Sequence, residues 1–513
     1  MDKNFYITTP IYYPSANPHM GHAYSSIVAD VFARFKRIDG YSVHFLTGTD
    51  EHGLKIQRAA EERKMEPLIF CNEISKTFKD LSKILNLSNT DFIRTTENRH
   101  IKSVQYLWNI LKKNGDIYLS KYSGWYSVSD EAFYSEDEIV KKDNQKISSV
   151  SGSIVEWVEE ESYFFRLSKW QDKLLEYIDN NPDFILPKSR KNEVVSFIKS
   201  GLKDLSVSRK SFSWGIKVPN DSEHVIYVWL DALTNYLSAL NYPDQNDDLY
   251  KKYWPATIHL IGKDILRFHA VYWPAFLLAA NIPLPERVYG HGWILSGEEK
   301  MSKSKGNILD PLEIINIYGL DPLRYYLIKE VSFGSDGNIS QEKLEDCINS
   351  DLANNFGNLC QRVVAFNEKN CGLIVPKKEK FTKDDLKVLN NFSDNINNLR
   401  EAIDKQNLNY YVDFIVKSLF EANKYFNDQE PWKKKADKSR MNTIVYVSLE
   451  IIRKVSIMLY PIIPDTSEKV LNIFKLDSKN ISFSSIENND FLKPEIKLNK
   501  IGILFKKIEK KND

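Results

Sequence analysis

Hydrophobic and polar positions follow two regimes along this chain. Phe5-Tyr6-Ile7-Thr8-Thr9 is a β-branched and aromatic run that stops at Pro10, the pattern of a buried strand. A turn rich in Pro, Asn and Ser follows, Pro14-Ser15-Ala16-Asn17-Pro18. From His19-Met20-Gly21-His22 to about Ile38, apolar Ile27, Val28, Val31, Phe32 and Phe35 recur at helical spacing. Asp39-Gly40 stops that helix, and Ser42 to Gly48 reads as the next strand. Strand, crossover helix and strand make a right-handed βαβ unit, which calls for a parallel sheet. From about Asp116 to Ile226 short aromatic runs alternate with charged turns, as in Gly124-Trp125-Tyr126-Ser127 and Tyr163-Phe164-Phe165-Arg166. That texture predicts a small insertion. The α/β texture returns with Val225 to Leu230, Thr257 to Gly262 and Arg287 to Gly290, and from about Asp351 to Ile473 the pattern is helical with few Gly or Pro.

Composition narrows the class. A length of 513 residues suggests about three domains. Lys and Arg number 70 against 69 Asp and Glu, a balance that neither demands nor excludes nucleic acid, because a local basic patch can hide in a neutral total. Four scattered cysteines exclude a disulfide scaffold and point to a reducing compartment. The apolar run Ala270 to Ala280 has Pro274 inside it and falls well short of the roughly 20 residues that cross a bilayer. The start, MDKNFYITTPIYY, lacks the long apolar core of a secretion signal. The expectation is a soluble, cytoplasmic, multidomain protein with no membrane partner.

Two motifs carry the chemistry. His19-Met20-Gly21-His22 stands between a strand and a helix, and Lys300-Met301-Ser302-Lys303-Ser304 follows a strand-like segment and Gly292. Singly, each has a plain reading: two histidines at i, i+3 cap a helix, and a Lys/Ser run is a solvated loop. Together, in this order and on this texture, they resemble the signature pair of the class I aminoacyl-tRNA synthetases. A helix N-terminus offers free N–H groups and the positive dipole end to ATP phosphates. Gly21 leaves the backbone open to a flat base. His19, His22, Lys300 and Lys303 are the catalytic candidates, and with Gly21 and Ser302 they form the candidate ATP site. Donors that hold the departing pyrophosphate more tightly in the transition state accelerate adenylate formation. Gly297 and Gly306 flank the lysine loop and would let it close. Mg²⁺ is expected to bridge the phosphates.

Further stretches resemble the methionyl-tRNA synthetases: Pro10-Ile11-Tyr12-Tyr13-Pro14, Gly48-Thr49-Asp50-Glu51-His52-Gly53, Tyr227-Val228-Trp229-Leu230-Asp231-Ala232, and Ile261 to His269. The resemblance runs from Phe5 to about Pro464. It implies that Asp50 binds the substrate ammonium and that Ile11, Tyr13, Trp229, Ala232, Leu233, Tyr236, Ile265, His269 and Trp273 line the methionine pocket. It also implies a buried Arg209–Asp264 ion pair beside that pocket. An aromatic box suits a polarizable thioether, and a carboxylate suits an ammonium. Core packing accounts equally for Trp229 and Trp273 taken singly, and the i, i+4 spacing of His269 and Trp273 needs nothing beyond a helix. Pro274 would kink that helix.

The insertion matches the family's connective peptide, which handles the tRNA acceptor end and in many members binds zinc through CxxC pairs. Here there is no Cys or His between residues 101 and 223, and Trp125-Tyr126-Ser127-Val128-Ser129-Asp130 carries Ser and Asp instead. Tetrahedral zinc needs softer ligands, so no protein-bound zinc is expected. The stretch from His22 to Lys300 has no room for a large editing domain. In a helix drawn from Asp351 to Asn370, Leu352, Phe356, Leu359 and Val363 form a core stripe, and Asn354, Asn358 and Arg362 a separate polar ridge. The resemblance makes that ridge anticodon-binding, with Trp432 stacking on a base; a solvated face and a core tryptophan are the plain readings.

The expected fold is α/β. A Rossmann-type parallel-sheet catalytic domain (1–115 and 227–325) carries a small connective-peptide domain (116–226). A connector (326–350) leads to an all-α anticodon-binding bundle (351–513). The expected activity is methionine–tRNA ligation, with tRNA(Met), L-methionine and ATP as partners. A monomer is expected, since about 40 residues after Ile473 are too few for an appended dimerisation domain. Two other readings stay open: a sister synthetase for leucine or cysteine, and a catalytically silent tRNA-binding relative. The cysteine enzyme's zinc-bound selector and the leucine enzyme's editing insertion are missing, and intact His19, His22 and Lys303 speak against a silent relative.

Overall fold

The computed structural model describes residues 3–14, 17–128, 130, 132–134, 136–142, 145–296, 299–300, 310–477 and 481–509. These form two compact units. One spans 4–18 and 43–291; the other holds the described residues of 1–3, 19–42 and 292–513.

The first unit is built on a six-stranded sheet. Its strands are β1 (Asn4–Tyr12), β2 (Ser42–Thr49), β3 (Asp91–Arg94), β4 (Ile185–Leu186), β5 (Ile258–Gly262) and β6 (Val288–His291). Their spatial order is β3-β2-β1-β5-β6-β4. The β2–β3, β1–β5, β5–β6 and β6–β4 ladders are parallel. Phe5 to Thr9 are all buried, which explains the unbroken apolar run of β1: a strand covered on both faces has no polar side to show. The chain leaves β1 toward β2 on one side and β5 on the other. That reversal is the switch point where open α/β sheets bind ligands, at the carboxyl ends of the strands. The strand does not stop at Pro10 as the sequence suggested but runs on to Tyr12. Its ladder to β5 involves Ile7 and Thr8, so the missing N–H of Pro10 lies beyond it and costs that ladder nothing.

Within the stretch 116–226, the long strands Ile117–Ser127 and Glu156–Phe165 pair antiparallel, with Trp125 opposite Trp157. The same stretch also supplies β4 to the parallel sheet. Helix α2 (Asn98–Lys113) buries Val104, Leu107, Trp108 and Leu111 at helical spacing.

In the second unit, helix α1 (Met20–Ile38) contacts the strand Ile294–Ser296 and the helix Leu320–Glu330. Phe32 meets Phe333 at 5.8 Å between ring centroids. Buried Asp30 accepts from Arg34 and Arg324, both at 2.7 Å. Two acidic–basic contacts on one carboxylate keep the buried charges compensated. The helices Lys383–Asp404, Leu408–Gln429 and Lys438–Leu459 pack on one another as a bundle. The single helix drawn from Asp351 to Asn370 is instead π-helical over Ile348–Gly357 and α-helical over Asn358–Cys371. The Asn358 N–H reaches back to the Ala353 carbonyl, the five-residue closure of a π-segment.

Candidate active site

At the start of α1 the two histidines cap the helix reciprocally. The Gly21 N–H donates to His19 Nδ1 at 3.1 Å, and the His19 N–H donates to His22 Nδ1 at 3.1 Å. Their rings lie 3.8 Å apart. Both Nδ1 atoms accept, so each neutral imidazole carries its proton on Nε2. Capping and donation are thus compatible: the cap fixes the tautomer that makes both rings donors. A Cβ on Gly21 would stand 3.0 Å from His19 Cε1, so the glycine also makes room for the capping ring. Lys300 ends a two-residue strand whose Leu295 partner belongs to the strand packed on α1. The backbone that leads into the lysine loop therefore lies one strand from the histidine helix. Ser302, Lys303, Gly297 and Gly306 fall outside the described residues.

Asp50 follows β2 directly and is buried. Its N–H donates to the Tyr12 carbonyl at 2.9 Å, which ties the ends of β1 and β2. The next two residues are clamped. Glu51 accepts from Arg94 Nε and Nη2 at 2.7 and 2.9 Å, from Thr96 at 2.6 Å and from Thr49 at 2.7 Å. His52 Nδ1 donates to Asp231 Oδ2 at 2.6 Å, and the His52 carbonyl accepts from the Tyr13 hydroxyl at 2.5 Å. Gly53 has φ +105°, a conformation open to glycine that turns the chain out of the loop.

The predicted pocket residues come together in the same unit. Ile11, Tyr13, Trp229 and Ala232 share one apolar cluster with Tyr126 and Tyr227. Leu233, Tyr236 and Trp273 belong to the adjoining core, against which Ile265 packs. The Ile265 carbonyl is 3.0 Å from His269 Nδ1, and His269 Nε2 is 2.8 Å from the Tyr236 hydroxyl. The carbonyl can only accept, so Nδ1 carries the proton and the Tyr236 hydroxyl donates to Nε2. Burial pushes the His269 imidazole down to about 4, against a weaker pull upward from the Ile265 carbonyl and Asp264. His269 is therefore neutral and hydrogen-bonded through both ring nitrogens at physiological pH. Burial, with the charges of Tyr12 and Asp50 adding to it, raises the Tyr236 phenol. His269 sits in a π-helical turn, Phe268–Tyr272, and Pro274 falls in the first turn of the helix Trp273–Ala279. The helical backbone runs unbroken from Leu266 into Ala279, so Pro274 lies inside one helix, and the π-segment directly before it is the irregularity that disturbs a straight α-helix there. The buried Arg209–Asp264 pair is not what the structure holds. Arg209 is buried, with its guanidinium 3.8 Å from the Tyr227 ring, while Asp264 is exposed.

In the helical region, Leu352, Phe356, Leu359 and Val363 are buried as expected. Asn354 is exposed and Asn358 and Arg362 are half-buried. The π-segment ends between Asn354 and Asn358, so the three do not form one straight α-helical ridge. Arg362 Nη2 donates to Asn427 Oδ1 at 2.6 Å, and its guanidinium lies 5.5 Å from the Phe426 ring. Phe426 in turn meets Trp432 at 6.0 Å, edge to face. Trp432 is 39% exposed, unlike the fully buried Trp108 and Trp273.

Residues 5–145 and 140–364 match the family described as tRNA synthetases class I (M), and residues 375–513 match the anticodon binding domain of methionyl tRNA ligase. Relatives include the methionine–tRNA ligases of Brucella suis, 50% identical over 94% of each chain, and of Rickettsia bellii, 48% identical over 97% of this chain and 99% of its own. The chain belongs to the methionyl-tRNA synthetases. The Mycobacterium tuberculosis methionyl-tRNA synthetase in complex with methionyl-adenylate superposes with a TM-score of 0.95 at 44% identity, covering 98% of this chain and 99% of that one. The activity expected from the sequence, methionine–tRNA ligation, stands on these relatives, as does the expected fold, a parallel-sheet catalytic domain followed by a helical anticodon domain.

In this synthetase Asp130, in the stretch where many relatives carry zinc-binding thiols, is held by hydroxyls. Asp130 accepts from Ser153 and Tyr134, each at 2.8 Å, and from Ser151. Burial would raise its carboxyl, but the hydroxyls of Ser151, Tyr134, Ser153 and Ser127 outweigh that and hold it below the usual carboxylate range. Sequence reasoning missed several residues that pack beside the candidate residues. Phe268 stacks on Trp229 at 3.5 Å and 9°. His52 and Asp231 lay inside quoted motifs without a role, and nothing around His100 marks it out.

Proposed function

We propose that the methionine ammonium docks on Asp50 and its side chain lies among Ile11, Tyr13, Trp229, Ala232, Leu233, Tyr236, Ile265, His269 and Trp273. ATP phosphates meet the α1 N-terminus at Gly21, the His19 and His22 Nε2–H donors, and Lys300, Ser302 and Lys303. The methionine carboxylate attacks the α-phosphorus, and pyrophosphate leaves with its growing charge held by those donors. The 3′-terminal ribose hydroxyl of tRNA(Met) then attacks the acyl carbon of the adenylate, the acyl–phosphate bond breaks, and AMP leaves. No protein nucleophile is required, so catalysis rests on positioning and charge stabilisation. The observation that carries this reading is the reciprocal cap, which fixes both imidazoles as Nε2–H donors at one helix N-terminus.

Asn354, Asn358, Arg362 and Trp432 form the proposed anticodon contact. Mg²⁺ would be held by the phosphates. Among the described residues no group of three His, Cys, Asp or Glu side chains gathers to hold a metal ion, so no residue is assigned to it and no step passes through it. No helix among the described residues is long and apolar enough to cross a membrane; we place the protein in the cytoplasm as a monomer. Charging of tRNA transcripts tests the whole reading. It predicts methionylation of a transcript with the methionine anticodon and sharply reduced charging when that anticodon is replaced. Equal charging of both, or of neither, contradicts it.

A further inference from the structure

Asp231 sits at the centre of a buried network that touches both halves of the proposed methionine site. It lies on helix α3 (Val228–Leu233), which also carries Trp229, Ala232 and Leu233. Its side chain is fully buried. Oδ2 is 2.6 Å from His52 Nδ1, and Oδ1 is 2.7 Å from His100 Nε2. His100, itself fully buried, reaches Ser238 through Nδ1 at 2.8 Å. Burial alone would raise the Asp231 carboxyl; the two imidazoles outweigh it and hold it below the ordinary carboxylate range. An ionised carboxylate only accepts, so His52 carries its proton on Nδ1 and His100 on Nε2.

We infer that Asp231 and His52 are positioning residues for methionine. Through one imidazole they fix the spacing between the ammonium-binding loop and the wall that contacts the side chain. His52 is two residues from Asp50, and its carbonyl receives the Tyr13 hydroxyl. The Asp231 end is rigid, because Asp231 shares its short helix with three pocket residues. Neither residue needs to touch substrate; the network acts by holding Asp50 and Tyr13 at one distance from Trp229 and Ala232. A displacement of about 1 Å at such a site is enough for a loss on the order of 100-fold.

This inference rests on the assignment of Asp50 to the ammonium, and the test separates the two. ATP–pyrophosphate exchange is measured for His52→Ala, His52→Asn, Asp50→Asn and the double variant His52→Ala/Asp50→Asn, with KM read for methionine and for ATP. An asparagine amide nitrogen takes the place of Nδ1, so His52→Asn keeps the bond to Asp231. The expected result is a methionine KM raised about tenfold or more by His52→Ala, an ATP KM within about twofold of the parent, and recovery of most of the loss in His52→Asn. In the double variant, His52→Ala adds less than about threefold to the effect of Asp50→Asn, because coupled residues are not additive. If His52→Ala does not fold, His52→Gln replaces it, its donor set one bond too far out. Full additivity, or no recovery in His52→Asn, overturns the positioning role while Asp50 keeps its own. An unchanged methionine KM in Asp50→Asn overturns the ammonium assignment and the inference with it.

Discussion

Replacing Trp432 by alanine removes a partly exposed indole. The residue is 39% exposed and its ring meets Phe426 edge to face. Such a contact contributes about 0.5–1.5 kcal/mol, a loss the bundle can absorb because Phe426 stays buried against it. A base stacked on the indole contributes about 1–3 kcal/mol. At about 1.4 kcal/mol per tenfold, the tRNA KM should rise roughly 5- to 140-fold. Steady-state aminoacylation of a tRNA(Met) transcript reads that change, and ATP–pyrophosphate exchange without tRNA reads the catalytic unit alone. The expected outcome is a raised tRNA KM with exchange unchanged. A tRNA KM within twofold of the parent refutes the stacking role. Loss of exchange refutes the separation of the two functions and makes Trp432 a folding residue.

Lys303→Ala should slow adenylate formation in single-turnover assays with little change in methionine affinity; a lost affinity at normal rate contradicts its role on the phosphates. Arg94→Ala leaves the buried Glu51 carboxylate without its bidentate partner and should cost about 3–5 kcal/mol in denaturant melts, with a higher methionine KM. A melt within 1 kcal/mol of the parent would show that Thr49 and Thr96 suffice. His269 is neutral in the fold down to about 4, while an unfolded histidine protonates near 6.5. The unfolded chain therefore takes up protons first, and stability is full above about pH 6.5 and falls as pH drops toward 4. Burial pushes His259 the same way. Denaturant midpoints from pH 7.5 to 4.5 should fall less steeply for His269→Gln than for the parent; equal slopes contradict the assignment. Asp130→Ala removes the acceptor shared by Ser151, Ser153 and Tyr134 and should destabilise the insertion by about 1–3 kcal/mol. Elemental analysis of the parent should find no stoichiometric zinc, and a full equivalent would displace the hydroxyl account.

The buried β1, the helix opened by the two histidines and the switch to an aromatic insertion were all legible, because each writes its burial into local periodicity. The residues proposed for the methionine pocket could be named through motifs, since Ile11, Tyr13, Asp50 and Trp229 stand at strand or helix ends within recognisable stretches. What stayed hidden depends on contacts far apart in sequence. His52 and His100 reach Asp231 across 179 and 131 residues, and no local pattern encodes that meeting. The stack of Phe268 on Trp229 is hidden for the same reason. The π-segment before Asn358 was missed because its buried positions satisfy an α-helical stripe equally well. The buried Arg209–Asp264 pair was carried over from the family resemblance, which does not show whether a given side chain is buried in this chain, and Asp264 is exposed here.

In the proposed mechanism a capped histidine pair and a lysine loop activate methionine with ATP. The decisive measurement is ATP–pyrophosphate exchange on the purified chain, run with each amino acid in turn. Exchange with methionine, abolished or strongly slowed by His22→Ala, is the predicted result. Exchange driven by leucine or cysteine instead, or none with any amino acid, would contradict it.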